Sequence, residues 1–267
     1  MEIPCELQNK LKTLKEILHG YGRLAIAFSG GVDSSLLLKV AYDTLGDNTI
    51  AFFADSVVQP AKERQYAIDL ARAIGATLEV VGFDPLALPE FTANSKYRCY
   101  HCKKSILSAF LDLAHQQNFP WLADGTNLDD LSKERPGSLA VAELGVKSPL
   151  AQTSLTKNEI RELSHFFKLP TWNKPSASCL ATRIPTNIPI TSADLALIDK
   201  AENCLHELGY HGCRVRLAAS CCYIELATGD LDRFASSGTL KSVRDSLYAL
   251  GVDKVFLDLL ERGSILS

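Results

Sequence analysis

Hydrophobic residues recur along the first half of the chain with two different spacings. Leucines at helical spacing predict a helix over residues 6–20. Short apolar runs that are typical of buried strands occupy residues 23–28, 49–54, 77–83 and 120–124. Helical patterns occupy the connections between these runs, at residues 36–45, 61–74 and 103–117. Because strands and helices alternate with short connections, the pattern predicts an α/β fold with a doubly wound parallel sheet, covered by helices on both faces.

The pattern changes after Asp124. Glycine, proline and serine are spread through residues 125–190, where helices are predicted only near 138–144 and 156–167. A new set of elements follows, with helices predicted at 192–208, 230–236 and 239–250 and strands at 213–217, 222–226 and 253–258. We therefore expect a larger domain at 1–185 and a small α+β domain at 186–267, with a linker at 186–189.

Composition and charge narrow the class of protein. Apolar residues make up 46% of the 267 positions and charged residues 22%, which is ordinary for a globular protein with a substantial core. The formal net charge of −3 argues against a strongly basic nucleic-acid binder. No run of 18 apolar residues predicts a membrane span, and the first residues do not resemble a secretory leader. We expect a cytoplasmic protein that binds neither membranes nor nucleic acids.

Residues 29–35, Ser-Gly-Gly-Val-Asp-Ser-Ser, stand between a predicted strand and a predicted helix. Gly30 and Gly31 can adopt positive φ and bring backbone N–H groups close to an anion, and the helix that follows adds its unpaired N–H groups. The polar side chains available to a nucleotide and Mg²⁺ are those of Ser29, Asp33, Ser34 and Ser35. The motif is neither a Walker A loop nor a Gly-x-Gly-x-x-Gly turn. It predicts a phosphate-binding turn, the alternative being a tight turn with a serine cap.

A second candidate anion site follows the strand at 120–124. Its sequence is Asp124-Gly-Thr-Asn-Leu-Asp-Asp130, and ligands of open α/β sheets gather at the carboxyl ends of the strands. Its carboxylates could carry Mg²⁺, although an Asp-rich surface turn would have the same composition. The residues predicted to contact the nucleotide here are Gly125, Thr126, Asn127 and Asp129.

Eight cysteines stand out, because thiols in a reducing compartment are more often metal-binding or reactive than bridged. Cys99 and Cys102 form a Cys-x-x-Cys pair just before a predicted helix, and Cys179 lies in a loop of small residues flanked by cations. Three explanations stay open: a [4Fe–4S] cluster on these three, a zinc site completed by His101 or a distant ligand, and Cys179 acting alone as sulfur donor or nucleophile. A thioredoxin-like redox pair is a rival for the first two. The remaining five are expected to pack in the core: Cys5, Cys204, Cys213, Cys221 and Cys222.

Several motifs occur together in this chain. They are the turns at 29–35 and 124–130, Arg135-Pro-Gly, Gly145-Val-Lys-Ser-Pro-Leu, Lys174-Pro-Ser-Ala-Ser-Cys-Leu-Ala-Thr-Arg183 and Arg214-Val-Arg216. The first turn resembles the PP-loop of the ATP pyrophosphatase superfamily, of adenine nucleotide alpha hydrolase-like fold, whose members cleave ATP to AMP and pyrophosphate. The whole set is similar to the ATP-dependent sulfur transferases of nickel-pincer cofactor biosynthesis (LarE type), over nearly the whole chain.

That resemblance implies an enzyme that adenylates pyridinium-3,5-biscarboxylic acid mononucleotide and converts its carboxylates to thiocarboxylates, in the maturation of lactate racemase. It implies ATP and Mg²⁺ as cofactors, Cys179 as the sulfur-bearing catalytic residue, and a small-molecule mononucleotide as the partner. The substrate-binding residues that it implies are Arg183, Arg214 and Arg216. Because Cys99 and Cys102 accompany Cys179, it implies the family branch in which three cysteines hold a [4Fe–4S] cluster that carries a sulfide. It further implies a homo-oligomer, a hexamer or a trimer.

Other classes of protein share some of these features. A PP-loop tRNA 2-thiolation enzyme also couples adenylation to sulfur transfer, but the net charge of −3 and the lack of a basic extension weigh against it. An amide-forming ligase of the NAD-synthetase or GMP-synthetase kind needs no Cys-x-x-Cys. An iron–sulfur carrier or a nucleotide-sensing module would leave the substrate-side arginines without a use.

Overall fold

The computed structural model describes residues 3–132, 136–175, 178–218, 221–236, 238–260 and 262. The chain forms two compact units. The first unit comprises Met1–Ser56, Ala61–Phe91 and Lys96–Ala177, and the second comprises Val57–Pro60, Thr92–Ser95 and Ser178–Ser267. In the described part of the chain, no helix is both long and apolar enough to cross a membrane.

The helices are α1 (Cys5–Tyr21), α2 (Val32–Leu45), α3 (Ala61–Ile74), α4 (Pro89–Thr92), α5 (Arg98–Gln116), α6 (Leu128–Leu131), α7 (Pro136–Glu143), α8 (Pro149–Gln152), α9 (Lys157–Phe166), α10 (Ser192–Glu207), α11 (Leu231–Ser236) and α12 (Thr239–Ala249). The strands are β1 (Leu24–Ala27), β2 (Thr49–Asp55), β3 (Thr77–Gly82), β4 (Trp121–Ala123), β5 (Arg214–Ala218), β6 (Cys221–Glu225) and β7 (Lys254–Leu257). Short 3₁₀ helices occupy Gly46–Asn48, Pro85–Ala87 and Leu180–Arg183.

A parallel sheet of strand order β3-β2-β1-β4 forms the centre of the first unit. Leu24 of β1 pairs with Thr49 of β2 on one side and with Trp121 of β4 on the other. Central parallel strands are covered on both faces, so their sequences are continuous apolar runs rather than alternating ones. The four strands predicted in the first half of the chain are thereby confirmed, together with their parallel pairing.

Helices cover this sheet with two separate apolar layers. One layer contains the leucines of α1 and joins them to α2, α3 and α9, with Leu14, Leu36 and Leu163 fully buried. The other layer lies around α5 and α7 and includes Leu107, Phe110 and Val141. Because an apolar layer covers each face, the predicted doubly wound α/β fold is confirmed.

Two helices begin earlier than their hydrophobic patterns predict. α2 begins at Val32 instead of residue 36, after Gly31 in extended backbone (φ −83°, ψ 167°). α5 begins at Arg98 instead of residue 103, so the Cys-x-x-Cys pair lies inside its first turns and not before it. Both first turns are rich in polar residues, which carry no apolar periodicity, and the patterns therefore started only where each helix enters the core.

The second unit contains a mixed sheet of order β5-β6-β7, antiparallel between β5 and β6 and parallel between β6 and β7. Val215 and Leu217 are buried on one face of β5, and the alternate residues of that strand are half-buried on the other. Helices α10 and α12 pack on the buried face with residues such as Leu205 and Leu247. This is the small α+β arrangement that the sequence predicts.

Two short segments from earlier in the chain belong to the second unit. Asn94 is fully buried with a left-handed φ of +54°, and its amide donates hydrogen bonds to the carbonyls of Pro185 (2.8 Å) and Ile188 (2.7 Å). The backbone N–H of Leu180 donates to the carbonyl of Val58 (2.8 Å). These bonds hold the chain on both sides of the 3₁₀ helix at Leu180–Arg183.

Candidate active site

The turn between β1 and α2 has the geometry of an anion site. Gly30 has a φ of +68°, a conformation that glycine adopts without the penalty of a Cβ atom. The carbonyl of Gly31 accepts the hydroxyl of Ser35 (2.7 Å), and Ser34 is also buried and bonded to this turn. Ser29 is exposed, and its hydroxyl lies 3.1 Å from that of Ser34. The buried serines therefore brace the turn, and Ser29 remains open to solvent.

Helix α2 begins at this turn. Among the described residues, no side chain caps the helix, whose N-cap residue is Gly31. The first N–H groups of a helix have no partner within the helix, and the helix dipole places positive charge there. An uncapped helix start behind a positive-φ glycine is therefore suited to a phosphate group.

The second predicted turn packs directly against the start of α2. A Cβ atom on Gly125 would lie 2.8 Å from the backbone nitrogen of Ser34, which only glycine avoids. Two residues later, Asn127 caps the short helix α6 and donates a hydrogen bond to the Asp33 carboxylate (3.1 Å). The structure thus brings together the two turns that the sequence singled out.

Lys157 completes this contact, and sequence reasoning missed it. Its ammonium lies 2.5 Å from the Asp33 carboxylate, and its backbone N–H donates to Asp129 (2.7 Å). The capping box of Thr156 and Glu159 is a sequence signal that α9 begins at Lys157. Nothing in the sequence around Lys157 predicts that its side chain reaches Asp33, which lies 124 residues earlier.

Asp124 is buried, and its carboxylate accepts several hydrogen bonds. Its carboxylate accepts hydrogen bonds from Lys103 (3.0 Å), the hydroxyl of Thr126 (2.7 Å) and the hydroxyl of Ser148 (2.8 Å). These bonds fix the turn at the carboxyl end of β4. Asp124 therefore fixes this turn. The carboxylate of Asp33, in the other turn, is more exposed than that of Asp124.

A second lysine, Lys174, contacts the glycine turn itself. Its ammonium donates to the carbonyl of Gly30 (3.2 Å), pairs with Glu63 (2.7 Å) and lies 4.0 Å above the centre of the Tyr66 ring. Arg161 of α9 holds the carbonyl of Lys174 (3.0 Å). In the sequence, Lys174 stands out only as part of a motif, whereas in the structure its side chain contacts the glycine turn.

Cys99 and Cys102 lie three residues apart near the start of α5, a spacing that places both on one face of the helix. Cys99 is exposed and Cys102 is half-buried. Two accessible thiols on one helical face suit a thiophilic metal or cluster as part of a larger ligand set. In the described part of the chain, no group of three or more His, Cys, Asp or Glu side chains is placed to hold a metal ion.

In the second unit, Cys179 immediately precedes the 3₁₀ helix at Leu180–Arg183 and is half-buried. Its carbonyl accepts hydrogen bonds from the hydroxyl of Thr182 (2.8 Å) and from the guanidinium of Arg183 (3.1 Å). Arg183 is 6% exposed and forms a two-bond ion pair with buried Glu202 (2.9 and 3.1 Å). The backbone that carries Cys179 is thereby fixed to a buried charge pair.

Glu202 was missed, although the sequence contains a signal. It interrupts the apolar stripe of α10 between Ile198 and Leu205, where a charged residue is unexpected unless it is paired. Besides pairing with Arg183, the Glu202 carboxylate accepts a hydrogen bond from the backbone N–H of Val215 in β5 (3.0 Å). Glu202 therefore ties the Cys179 loop to the sheet.

The two arginines of β5 share one face, as their alternate positions predict, but have different surroundings. Arg216 donates to the carbonyl of Thr182 (3.0 Å) and pairs with Glu225. Arg214 is half-buried, and its guanidinium has no hydrogen-bond or ion-pair partner among the described residues. Burial, followed by the positive charges of Arg262, Arg183 and Arg216, lowers the pKa of Arg214 to about 10. Arg214 thus remains charged at neutral pH within a cluster of excess positive charge, and this suits an anionic ligand.

Among the described residues, none of the eight cysteines forms a disulfide bond. Burial raises the pKa of Cys213 to about 12 and that of Cys222 to about 11, so these two are inert core residues, as expected. Cys204 and Cys221 are half-buried. The expectation of core packing was wrong for Cys5, which is exposed at the start of α1.

Arg135 and residues 176–177, parts of two quoted motifs, lie outside the described residues.

A parallel sheet with a glycine-built anion turn after its central strand defines a nucleotide-binding α/β protein of the PP-loop type. A component of the glutamine-hydrolyzing GMP synthase of Archaeoglobus fulgidus agrees with this class, being 23% identical over 180 residues, 64% of this chain and 58% of that protein. No protein-family model matches the chain.

Two further relatives span nearly the whole chain. The uncharacterized protein slr1717 of Synechocystis sp. is 38% identical over 253 residues, 95% of this chain and 94% of that protein. The pyridinium-3,5-bisthiocarboxylic acid mononucleotide synthase of Lactiplantibacillus plantarum is 32% identical over 254 residues, 95% of this chain and 91% of that protein. The chain therefore belongs to the family of pyridinium-3,5-bisthiocarboxylic acid mononucleotide synthases, and the protein is an enzyme of this kind.

Proposed function

We propose that the protein uses ATP to insert sulfur into pyridinium-3,5-biscarboxylic acid mononucleotide, giving the bisthiocarboxylic acid mononucleotide of nickel-pincer cofactor biosynthesis. The observation that carries the proposal is the uncapped start of α2 behind Gly30, a site suited to the phosphates of a nucleotide. Family membership supports the substrate, because the relative from Lactiplantibacillus plantarum is named for the thiolated product.

The first unit would carry the adenylation step. The N–H groups of Gly31 and the first turn of α2 bind the pyrophosphate portion of ATP, and exposed Ser29 adds a hydroxyl. A substrate carboxylate oxygen attacks the α-phosphorus, the bond to the β-phosphate oxygen breaks, and pyrophosphate leaves. The turn formed by Gly125, Thr126, Asn127 and Asp129 lies beside this helix start and shapes the nucleotide site.

Asp33 and Lys157 would adjust the charge of that site. Asp33 is half-buried and presents carboxylate oxygens, the ligands that Mg²⁺ prefers, so Asp33 is the residue that would hold the ion delivered with ATP. Its present partner is the ammonium of Lys157. Exchange of that ammonium for Mg²⁺ would leave Lys157 free to pair with a phosphate oxygen.

Residues of the second unit would bind the substrate in the sulfur step. The sulfur nucleophile attacks the acyl carbon and the bond to AMP breaks, since AMP is a far better leaving group than a carboxylate oxygen. Arg214, without a partner among the described residues, would bind a substrate carboxylate or phosphate together with Arg216. Arg183 would act as a positioning residue, because its donors are bonded to Glu202 and to the Cys179 loop.

The sulfur source has two candidates in this chain. By resemblance, Cys99, Cys102 and Cys179 would hold a [4Fe–4S] cluster, and the accessible thiols of α5 fit that role. Such a cluster supplies a sulfide for transfer when it is bound. In the alternative, Cys179 gives up its own sulfur and becomes dehydroalanine.

Mass spectrometry after one anaerobic turnover with ATP and the biscarboxylate mononucleotide tests the proposal. We expect AMP, pyrophosphate and a thiolated nucleotide, together with loss of both thiolation and visible cluster absorption in Cys99→Ala, Cys102→Ala and Cys179→Ala. Cys204→Ala is the matched control and should retain both. Loss of the mass of hydrogen sulfide from Cys179 would assign the sulfur to that residue, and formation of an amide from ammonia would overturn the proposed function.

A further inference from the structure

The open face of the sheet in the second unit carries a row of aromatic and cationic residues. Tyr223 of β6 is paired with Arg216 of β5 on one side and with Phe256 of β7 on the other. Side chains of directly paired residues point to the same face of a sheet, so all three lie on one face together with Arg214. The opposite face is buried under helices through Val215 and Ile224.

The two aromatic rings of this row are stacked yet exposed. Their centroids are 4.9 Å apart, their planes differ by 16°, and Tyr223 and Phe256 are 39% and 42% exposed. Large aromatic side chains at adjacent exposed positions are typical of binding surfaces. Among the described residues, no further ring and no cation lies over either ring. On the β5 side, the guanidinium of Arg216 contacts Thr182 and Glu225 and not the Tyr223 ring.

We propose that Tyr223 and Phe256 form a stacking platform for a pyridinium ring, whose anionic substituents pair with Arg214. The proposal rests on the proposed function, which supplies a mononucleotide with a cationic ring, carboxylates and a phosphate. Aromatic faces carry negative electrostatic potential and attract cations, whereas guanidinium groups attract carboxylates and phosphates. A ring added to the open side of Tyr223 extends the stack above β5, the strand that bears Arg214.

This arrangement would recognise both the positive ring and the negative substituents of the ligand. Arg214 and Arg216 alone would accept any mononucleotide, because every such molecule carries a phosphate. The aromatic pair adds a preference for a ring with a positive charge, a property that uracil lacks and adenine lacks at neutral pH. Tyr223 and Phe256 therefore determine specificity, and Arg214 supplies affinity.

Titration calorimetry with two commercial mononucleotides tests this directly on the full chain. Nicotinic acid mononucleotide has a pyridinium ring and a carboxylate, and uridine 5′-monophosphate has a neutral ring on the same ribose phosphate. We expect the wild type to prefer the pyridinium nucleotide. Tyr223→Leu should weaken its binding by about 2- to 30-fold, the range of one cation–π contact, and should change uridine monophosphate binding much less.

Matched variants separate the platform from general effects. Tyr223→Phe keeps the aromatic face and should retain the preference, Phe256→Leu should reduce it, and Tyr248→Leu removes an exposed aromatic residue of α12 and should change nothing. Arg214→Gln should weaken both nucleotides equally. Circular dichroism and urea midpoints must match the wild type for each variant. Equal weakening of both nucleotides by Tyr223→Leu, or a wild-type preference for uridine monophosphate, would overturn the proposal.

Two outcomes keep this proposal distinct from the proposed function. Thiolation with an unchanged KM for the biscarboxylate mononucleotide in Tyr223→Leu would overturn the platform and leave the function standing. Pyridinium-selective binding without thiolated product in the wild type would support the platform and remove the function. If sedimentation shows that Tyr223→Leu alters only the oligomeric state, the face is an interface between copies and the platform is wrong.

Discussion

Arg183 and Glu202 place opposite charges in the interior of the second unit, each 6% exposed at its side chain. Taking two charges out of water is unfavourable, and the pair is tolerated because two hydrogen bonds join the groups and others satisfy their remaining atoms. The bonds from Arg183 to the carbonyls of Ser178 and Cys179 connect the pair to the loop that bears Cys179. A single residue change here should therefore affect both stability and the thiol.

Glu202→Gln leaves the Arg183 guanidinium buried without its counter-charge. We expect the free energy of unfolding to fall by about 3–5 kcal/mol, the usual cost of breaking a buried ion pair. Urea denaturation measures this. Glu207→Gln, at an exposed position of the same helix, is the control and should change stability by less than about 0.5 kcal/mol. Equal effects of the two substitutions would contradict the structural role of Glu202.

Gly125→Ala places a methyl group against the backbone nitrogen of Ser34. Because backbone cannot move aside cheaply, we expect a loss of about 1–3 kcal/mol in stability together with at least about tenfold weaker ATP binding. Gly20→Ala is the control, since Gly20 lies in α1 with nothing within 4 Å. It should be neutral or stabilising by up to about 1 kcal/mol, and a calorimetric ATP titration of both variants checks the difference.

Cys213 and Cys222 make stability depend on pH in the alkaline range. Burial raises their pKa to about 12 and about 11, whereas in the unfolded chain they titrate near their ordinary value, about 9. The unfolded state therefore loses protons that the folded state keeps, so stability is intact below about pH 9 and falls as the pH rises. Urea midpoints between about pH 8 and 10 should decline less steeply in Cys213→Val and Cys222→Val. Cys5→Ser, at an exposed site, should leave the slope unchanged.

At the scale of elements, a short segment around Asn94 holds the chain that follows the candidate site residue Cys179. Asn94 is buried in left-handed conformation, and its amide satisfies two carbonyls of the chain at 185–188. The sequence gives little warning of this, because an isolated asparagine between a short helix and a serine looks like an ordinary turn residue. Its role follows from partners that lie 91 and 94 positions further along the chain.

Asn94→Ala should cost about 2–4 kcal/mol, the sum of unsatisfied buried carbonyls and a left-handed alanine. Asn118→Ala provides the matched comparison, because Asn118 has a similar φ of +61° but is exposed after α5. It should cost only about 1 kcal/mol. Thermal unfolding of both variants isolates the hydrogen-bond contribution, and a cost for Asn94→Ala no larger than that for Asn118→Ala would contradict it.

The starts of α2 and α5 show how far element prediction reaches. Periodicity predicts the apolar part of each helix, but not its first turn. Those first turns carry Asp33 and the Cys-x-x-Cys pair, whose side chains are exposed or half-buried instead of packed in the core. Hydrophobic patterning therefore gives no signal at these candidate site residues.

At the scale of the whole molecule, net charge separates the proposed function from its nearest rival. With a formal charge of −3, the enzyme lacks the overall positive field that RNA binding usually requires. We expect no saturable tRNA binding in a filter assay at physiological salt and no steep salt dependence at lower salt. Tight binding that falls steeply as salt rises would favour tRNA 2-thiolation. The homo-oligomer remains a prediction that sedimentation can test in the same samples.

The sequence by itself determined the alternating α/β elements, the α+β character of the C-terminal part and the positions of the two candidate turns, because periodicity and glycine chemistry act over a few residues. Only the tertiary structure decided which distant groups meet. It joined Lys157 to Asp33, set Gly125 against the start of α2, and paired Glu202 with Arg183. Such partners are far apart along the chain, and sheet order and helix packing, rather than local propensity, determine their distances.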